Sequence, residues 1–362
     1  MKQKQELNPK ILNLVRKNIR KLKVYDPLIP ENKKDVVLLN QNENPYSIGL
    51  EKFNCKFNRY PELQPKKLIK ILSNLYKTNS KNVLLTRGAD EGIDILVKSF
   101  CECEKDGVLI CPPTFGMYKV FADIQGVKTF KVPLLEDKDF QLDVKSILET
   151  VKNNSIKVIF IPNPSAPMGN IIKKESLITL CEKLKNDVVV VVDEAYIEFT
   201  KIQSFIESLN KYHNLIVLRT LSKTYGMAGL RLGSIIAHEK LISIFKAVQP
   251  PYALSILSIK VAEEILKSGV YLNKISKNTD KIISERKRME KELEKFSFVK
   301  KIYPSVTNFL FLQVDDSEKL FKFCYKNGFA IRSQTSQIPN AIRISIGTPE
   351  ENNKLINLLN KY

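Results

Sequence analysis

Histidine is scarce. His213 and His238 are the only two in 362 residues. That removes the HExxH zinc class, most His-rich metal sites and a straightforward Ser-His-Asp hydrolase. His213 is expected to end a helix or cap a strand, and His238 to face solvent. The six cysteines (Cys55, Cys101, Cys103, Cys111, Cys181, Cys324) show no CxxC spacing. Reduced, buried thiols are therefore expected rather than disulfides. Long apolar runs are missing: nothing approaches the ~20 residues that span a bilayer. The Lys-rich start lacks the apolar core of a signal peptide. These absences point to a cytoplasmic protein with no membrane partner and no metal.

Negative charge is in deficit, with 58 Lys and Arg against 39 Asp and Glu and a net charge of +19. A nucleic-acid binder would gather that charge, with aromatics, on one face or in a named module. Here lysine is spread along the whole chain. No helix-turn-helix, zinc-finger or RNA-recognition signature occurs. The excess reads as a solvated surface whose field favours small anions, and nucleic acid is not expected as a partner.

What is present is a large core. A 43% hydrophobic content supports a globular chain, and its length predicts two lobes. Residues 8–23 predict a basic amphipathic helix, with Ile11, Val15, Ile19 and Leu22 on one stripe. That stripe is expected to pack on the body or on a partner subunit. Residues 36–39 predict a short strand. From residue 66 helix and strand alternate, which implies a mostly parallel sheet covered on both faces. Strands are predicted at 83–86, 107–111, 157–161, 188–192 and 215–218. Two consecutive prolines near residue 250 break the alternation. Beyond them come a charged helical stretch, 256–298, strands at 307–314, 328–332 and 341–348, and helices at 318–327 and 349–361. The division predicted is an N-terminal arm with part of the small domain (1–45), a large domain (46–250) and a small α+β domain (251–362).

Chemistry-bearing residues follow the strands of the first lobe. RGADEG (87–92) opens a helix whose free N–H groups suit a phosphate. CPPTFGMY (111–118) places Phe115 either in the core or stacked on a flat ring. PNPSAPMG (162–169) carries Asn163. Five valines end in DEAYIEF (193–199). An acid such as Asp193 at the end of a wholly buried strand is costly unless paired. It is either a structural ion-pair member or the counter-charge of a cationic ring. TLSKTYGMAGLRLG (220–233) supplies Lys223, which can form a Schiff base with an aldehyde. It also supplies Ser222 and Arg231, which can grip a phosphate.

Taken in order, RGADEGI, CPPTFGMY, DEAYIEF, RTLSKTYGMAGLRLG and AIRISIGT resemble the class I/II aminotransferases of fold type I, and among them the histidinol-phosphate group. The resemblance runs from about Tyr25 to the C-terminus. It implies an α/β fold and pyridoxal 5′-phosphate as cofactor. Lys223 would carry the cofactor and shuttle a proton, Asp193 would pair with the ring nitrogen, and Tyr196 would bond the ring oxygen. Phe115 would stack on the ring. Ala89, Asp90, Ser222 and Arg231 would hold the phosphate. Tyr60 would come from the neighbouring subunit of a homodimer. Tyr25, Asn42, Arg332 and Arg343 would line the substrate end. The expected reaction takes a phosphorylated amine, L-histidinol phosphate, and a 2-oxo acid, 2-oxoglutarate, as in histidine biosynthesis.

One position departs from the family pattern PNNPTG. Its asparagine before the second proline is Ala166 here, which leaves Asn163 as the only nearby amide to bond the ring oxygen. Three other activities fit parts of the pattern. They are an aromatic or broad-range aminotransferase, a threonine-phosphate decarboxylase, and a non-enzymatic anion-binding module.

Overall fold

The computed structural model describes residues 7–26, 41, 42, 44, 46 and 55–362. The strand expected at 36–39 lies outside them.

Seven strands build the larger sheet among the described residues: β1 (Val83–Thr86), β2 (Gly107–Ile110), β3 (Lys128–Lys131), β4 (Ile156–Pro162), β5 (Val189–Asp193), β6 (Leu215–Thr220) and β7 (Gly233–Ile236). Their order is β1-β7-β6-β5-β4-β2-β3. Only β7 runs against the rest. Its polar start hides it in the sequence, as does the exposed Lys128–Lys131 pattern for β3.

The valine run shows why this sheet forms. Val190 and Val192 enter one apolar cluster, Val189 and Val191 the other. Each strand side is therefore covered, and β-branched residues fit that pleated, two-sided burial. Helix Lys66–Leu75 packs into the first cluster and helix Gly88–Phe100 into the second.

The second sheet, order β10-β11-β9-β8, holds β8 (Val299–Tyr303), β9 (Phe309–Val314), β10 (Arg332–Ser333) and β11 (Ala341–Ser345). Ile342, Ile344 and Ile346 share a core with Leu310 and Leu312 as the alternation requires. The strand expected over 328–332 shrinks to its last residue. Helix Ser317–Lys326 instead closes through Gly328, at φ +83°, with Phe329 N–H bonded back to Cys324 C=O.

The helix expected over 8–23 is also broken. It spans only Pro9–Leu14, with a short 3₁₀ turn at Ile19–Lys21. Tertiary contacts override the periodicity: Arg16 N–H donates to Ser99 C=O, and its guanidinium reaches Lys98 C=O and Glu102. The stripe still packs on the body, since Ile11, Val15 and Ile19 are buried in the second cluster. Leu22 stays exposed. His213 Nδ1 accepts the Asn8 N–H, tying this segment down, and His238 caps helix Glu239–Val248. All six thiols are unbonded to one another. No described helix is long and apolar enough to cross a membrane. Among the described residues, no group of three or more His, Cys, Asp and Glu could hold a metal ion.

Candidate active site

β1, β2, β4, β5 and β6 point the same way, and their carboxyl ends share one edge. Open α/β sheets bind ligands at that edge. Because β7 is antiparallel, its start lies there too, and Arg231 just before it joins the group. A cleft opens at this edge, lined by Ala89, Asp90, Phe115, Asp193, Tyr196 and Lys223 among others.

Asp193 forms the floor. It is 5% exposed and accepts from the Tyr118 hydroxyl at 2.8 Å and the Ala195 N–H at 3.1 Å. Burial pushes its carboxyl up to about 6, while those two donors and Lys223 pull it back. Burial also raises the Tyr118 hydroxyl well above its ordinary value, with Asp193 adding to the effect. Tyr118 therefore stays a proton donor. Its ring stacks on Phe160 at 4.9 Å, which fixes the hydroxyl's aim. Tyr118 was not singled out in the sequence. Its aromatic ring reads as a helix stripe, and its partner lies 75 residues away.

Lys223 stands on the loop after β6, with Nζ 5.5 Å from the centroid of the Tyr196 ring. The loop is fixed from below. Leu221 is buried and exchanges backbone hydrogen bonds with Leu232 and Met227. A second support is a buried charge network: Arg219 bonds Glu194 and Glu198, each at 2.8 Å. Glu194 also accepts from Ser204 and the Phe205 N–H, so the strand end that carries Asp193 is held on its far side.

An anion cradle lies opposite. Arg231 reaches Ser222 Oγ at 3.4 Å and Asp90 at 3.2 Å. Ala89 and Asp90 occupy the first turn of helix Gly88–Phe100, which has no side-chain cap. Its leading N–H groups and the helix dipole favour an anion. A Cβ on Gly88, at φ +75°, would meet Arg231 Nη2 at 2.6 Å. A Cβ on Gly233 would meet the Gly88 carbonyl carbon at 2.4 Å. Glycine at both places lets the guanidinium lie against the backbone.

Phe115 lines the cleft, edge-on to Tyr118. Ala166 lines it as well and packs with Tyr196, Phe199 and Phe309. Asn163 does not line it. It is 1% exposed, and its Oδ1 accepts the Ile172 N–H at 3.0 Å. Its Oδ1 thus serves the fold of its own loop.

Arg343 and Arg332 face each other across β11 and β10. The Arg343 guanidinium lies 5.2 Å from the Phe309 ring, and that ring meets Tyr196 edge-on at 5.4 Å. Arg343 Nε is buried without a partner among the described residues. Burial lowers the Arg343 pKa, and Arg332 lowers it further against the pull of Tyr196. Tyr60, Tyr25 and Asn42 are exposed and outside this chain's cleft. Tyr60 instead stacks on Tyr252 at 4.4 Å, with Tyr25 edge-on to Tyr252 at 6.0 Å.

Residues 21–359 match the model of the family "Aminotransferase class I and II". The chain belongs to the class I and II aminotransferases. This enzyme is similar to proteins named histidinol-phosphate aminotransferase. One, from Buchnera aphidicola of Cinara cedri, is 37% identical over 96% of this chain and 98% of its own. Another, from Flavobacterium psychrophilum, is 38% identical over 97% and 99%. The crystal structure of the histidinol-phosphate aminotransferase from Clostridium acetobutylicum superposes with a TM-score of 0.75 at 26% identity, covering 84% of this chain and 90% of that one.

The family's cofactor is pyridoxal 5′-phosphate, and the aminotransferase cleft fits it. A phosphate suits Arg231, Ser222 and the uncapped helix start. An aldehyde suits the Lys223 amine. A cationic ring nitrogen suits Asp193, whose buried carboxyl it would favour in the charged form. The family's reaction passes an amino group between an amino compound and a 2-oxo acid.

Proposed function

We propose that this enzyme converts L-histidinol phosphate and 2-oxoglutarate to imidazole-acetol phosphate and L-glutamate, a step of histidine biosynthesis. The observation that carries the reading is the arginine pair on β10 and β11, of which Arg343 lies over Phe309, the ring that meets Tyr196. Two guanidinium groups suit a dianionic phosphate better than a lone carboxylate requires. The buried, unpartnered Arg343 Nε supports a ligand that bonds there. The names of relatives that match nearly the whole chain support the same substrate.

Pyridoxal phosphate, when bound, supplies an aromatic cation that accepts the electron pair left at the substrate α-carbon. The chain does the rest. Lys223 would hold the cofactor's aldehyde group, and its Nζ would be the base that moves the substrate α-proton. Asp193, aimed by Tyr118, would keep the ring nitrogen protonated. Tyr196 would donate to the ring oxygen without help from the Ala166 side chain. Phe115 would cover the ring, while Arg231, Ser222 and the N–H groups of Ala89 and Asp90 would hold its phosphate. Arg332 and Arg343 take the substrate phosphate in one half-reaction and a carboxylate of the 2-oxo acid in the other.

The active unit is a homodimer in this reading. Tyr60 is 56% exposed and lines a surface hollow with Pro61, Ile256 and Lys260, a face that a second copy would cover while receiving Tyr60 in its cleft. Tyr25 and Asn42 complete the substrate end. Residues 46–250 form the cofactor domain, 251–362 the small domain, and 1–45 an arm with part of the latter. The test is amino transfer to 2-oxoglutarate from histidinol phosphate against phenylalanine. A higher kcat/KM for histidinol phosphate supports the assignment, and a higher value for phenylalanine overturns it.

A further inference from the structure

Gln337 sits in the connection between β10 and β11, remote in sequence from the cleft. Its carboxamide faces the backbone of Thr114, on the loop that delivers Phe115. The Thr114 N–H donates to Oε1 at 2.6 Å, and the Thr114 carbonyl accepts from Nε2 at 3.0 Å. One side-chain amide thus pairs with one residue as a neighbouring strand would, through donor and acceptor together. Nε2 also donates to Gln334 Oε1 at 3.2 Å, which fixes the direction of the amide. The Gln334 N–H in turn donates to Ala341 C=O at 2.8 Å, closing the connection onto β11. Thr114 and Gln334 are both buried. Pro112 and Pro113, just before Thr114, bring no N–H of their own. Beside the Leu134 N–H bonded to the Pro112 carbonyl, Gln337 is the outside partner that holds Thr114 itself.

We propose that Gln337 is a positioning residue for the reaction. It sets the Thr114–Phe115 backbone, and with it the Phe115 ring, against the strand pair that carries Arg332 and Arg343. One contact then keeps the ring-covering face and the anion-binding end in register. This inference rests on the reading of the cleft as the cofactor and substrate site.

The test uses the full chain loaded with pyridoxal phosphate. Gln337→Met keeps the side chain's shape and removes both hydrogen bonds. Gln337→Glu keeps an acceptor for the Thr114 N–H but sets an oxygen against its carbonyl. Far-ultraviolet circular dichroism and melting establish that each is folded, and Glu decides if Met is not. The variant is expected to raise the KM for histidinol phosphate on the order of tenfold, with kcat changed less. Cofactor affinity should fall, and the visible circular dichroism of the bound cofactor should shrink at full occupancy. In a Phe115→Ala background the same change should leave cofactor affinity where Phe115→Ala alone put it. Unchanged KM and visible dichroism in a folded variant, or additive losses with Phe115→Ala, would overturn the proposal. Failure of the unaltered chain to take up the cofactor would instead sink the reading of the cleft.

Discussion

Asp193→Asn should strengthen the cofactor-free protein while crippling the enzyme. Asparagine keeps the shape and both contacts: Oδ1 still accepts the Ala195 N–H, and the Tyr118 hydroxyl can turn to accept from Nδ2. What disappears is a buried charge. Burial lifts the Asp193 carboxyl from 3.8 to about 6 in the folded chain. A group raised in this way binds its proton more tightly folded than unfolded. Stability is therefore greatest below pH ~4 and falls as pH rises through about 6. Linkage puts the cost on the order of 1–2 kcal/mol at pH 5 and on the order of 3 kcal/mol from pH 8 upward. Urea unfolding of cofactor-free wild type and variant, at equal concentration, should show the variant gaining stability between those pH values. With cofactor the sign reverses. The carboxylate is the partner of the ring nitrogen, and turnover should fall on the order of 10²- to 10³-fold. A variant no more stable than wild type at pH 8, or an advantage that does not grow with pH, would refute the burial argument. Near-normal turnover would refute the electronic role.

Three further outcomes are expected. Tyr118→Phe removes a donor that lowers the Asp193 pKa, so the fall in cofactor-free stability should move to higher pH; a stability–pH series reads it. Arg343→Ala should lower kcat/KM for histidinol phosphate on the order of a hundredfold, while fluorescence titration finds cofactor affinity within about threefold. Gly88→Ala strains a φ of +75° and drives a methyl into Arg231. It should cost about 1–3 kcal/mol of stability and weaken cofactor binding, measured by denaturation and by titration.

Much of the cleft was legible because strands announce themselves and ligands gather at their carboxyl ends. Asp193 and Lys223 each follow an apolar run, so their placement on one edge needed only the alternation of strand and helix. Tyr118 was not legible. Its role depends on a hydroxyl meeting an acid from another strand, which no local pattern encodes. The partner of Asn163 was not legible either: the proline-rich loop sets its Oδ1 to accept the Ile172 N–H. The break after Leu14 goes with Arg16 bonding Lys98 and Ser99 at the end of helix Gly88–Phe100, a contact invisible to periodicity. Gln337 is another such case: a polar residue in a polar turn, notable only once its partner at Thr114 is known.

The most direct test is chemical. Borohydride reduction of the pyridoxal-phosphate-loaded protein fixes the covalent link, and peptide mapping then locates it. The cofactor's mass on the peptide containing Lys223, and nowhere else, is the result expected. A label on any other lysine, or no label from a protein that performs the reaction, would contradict the account.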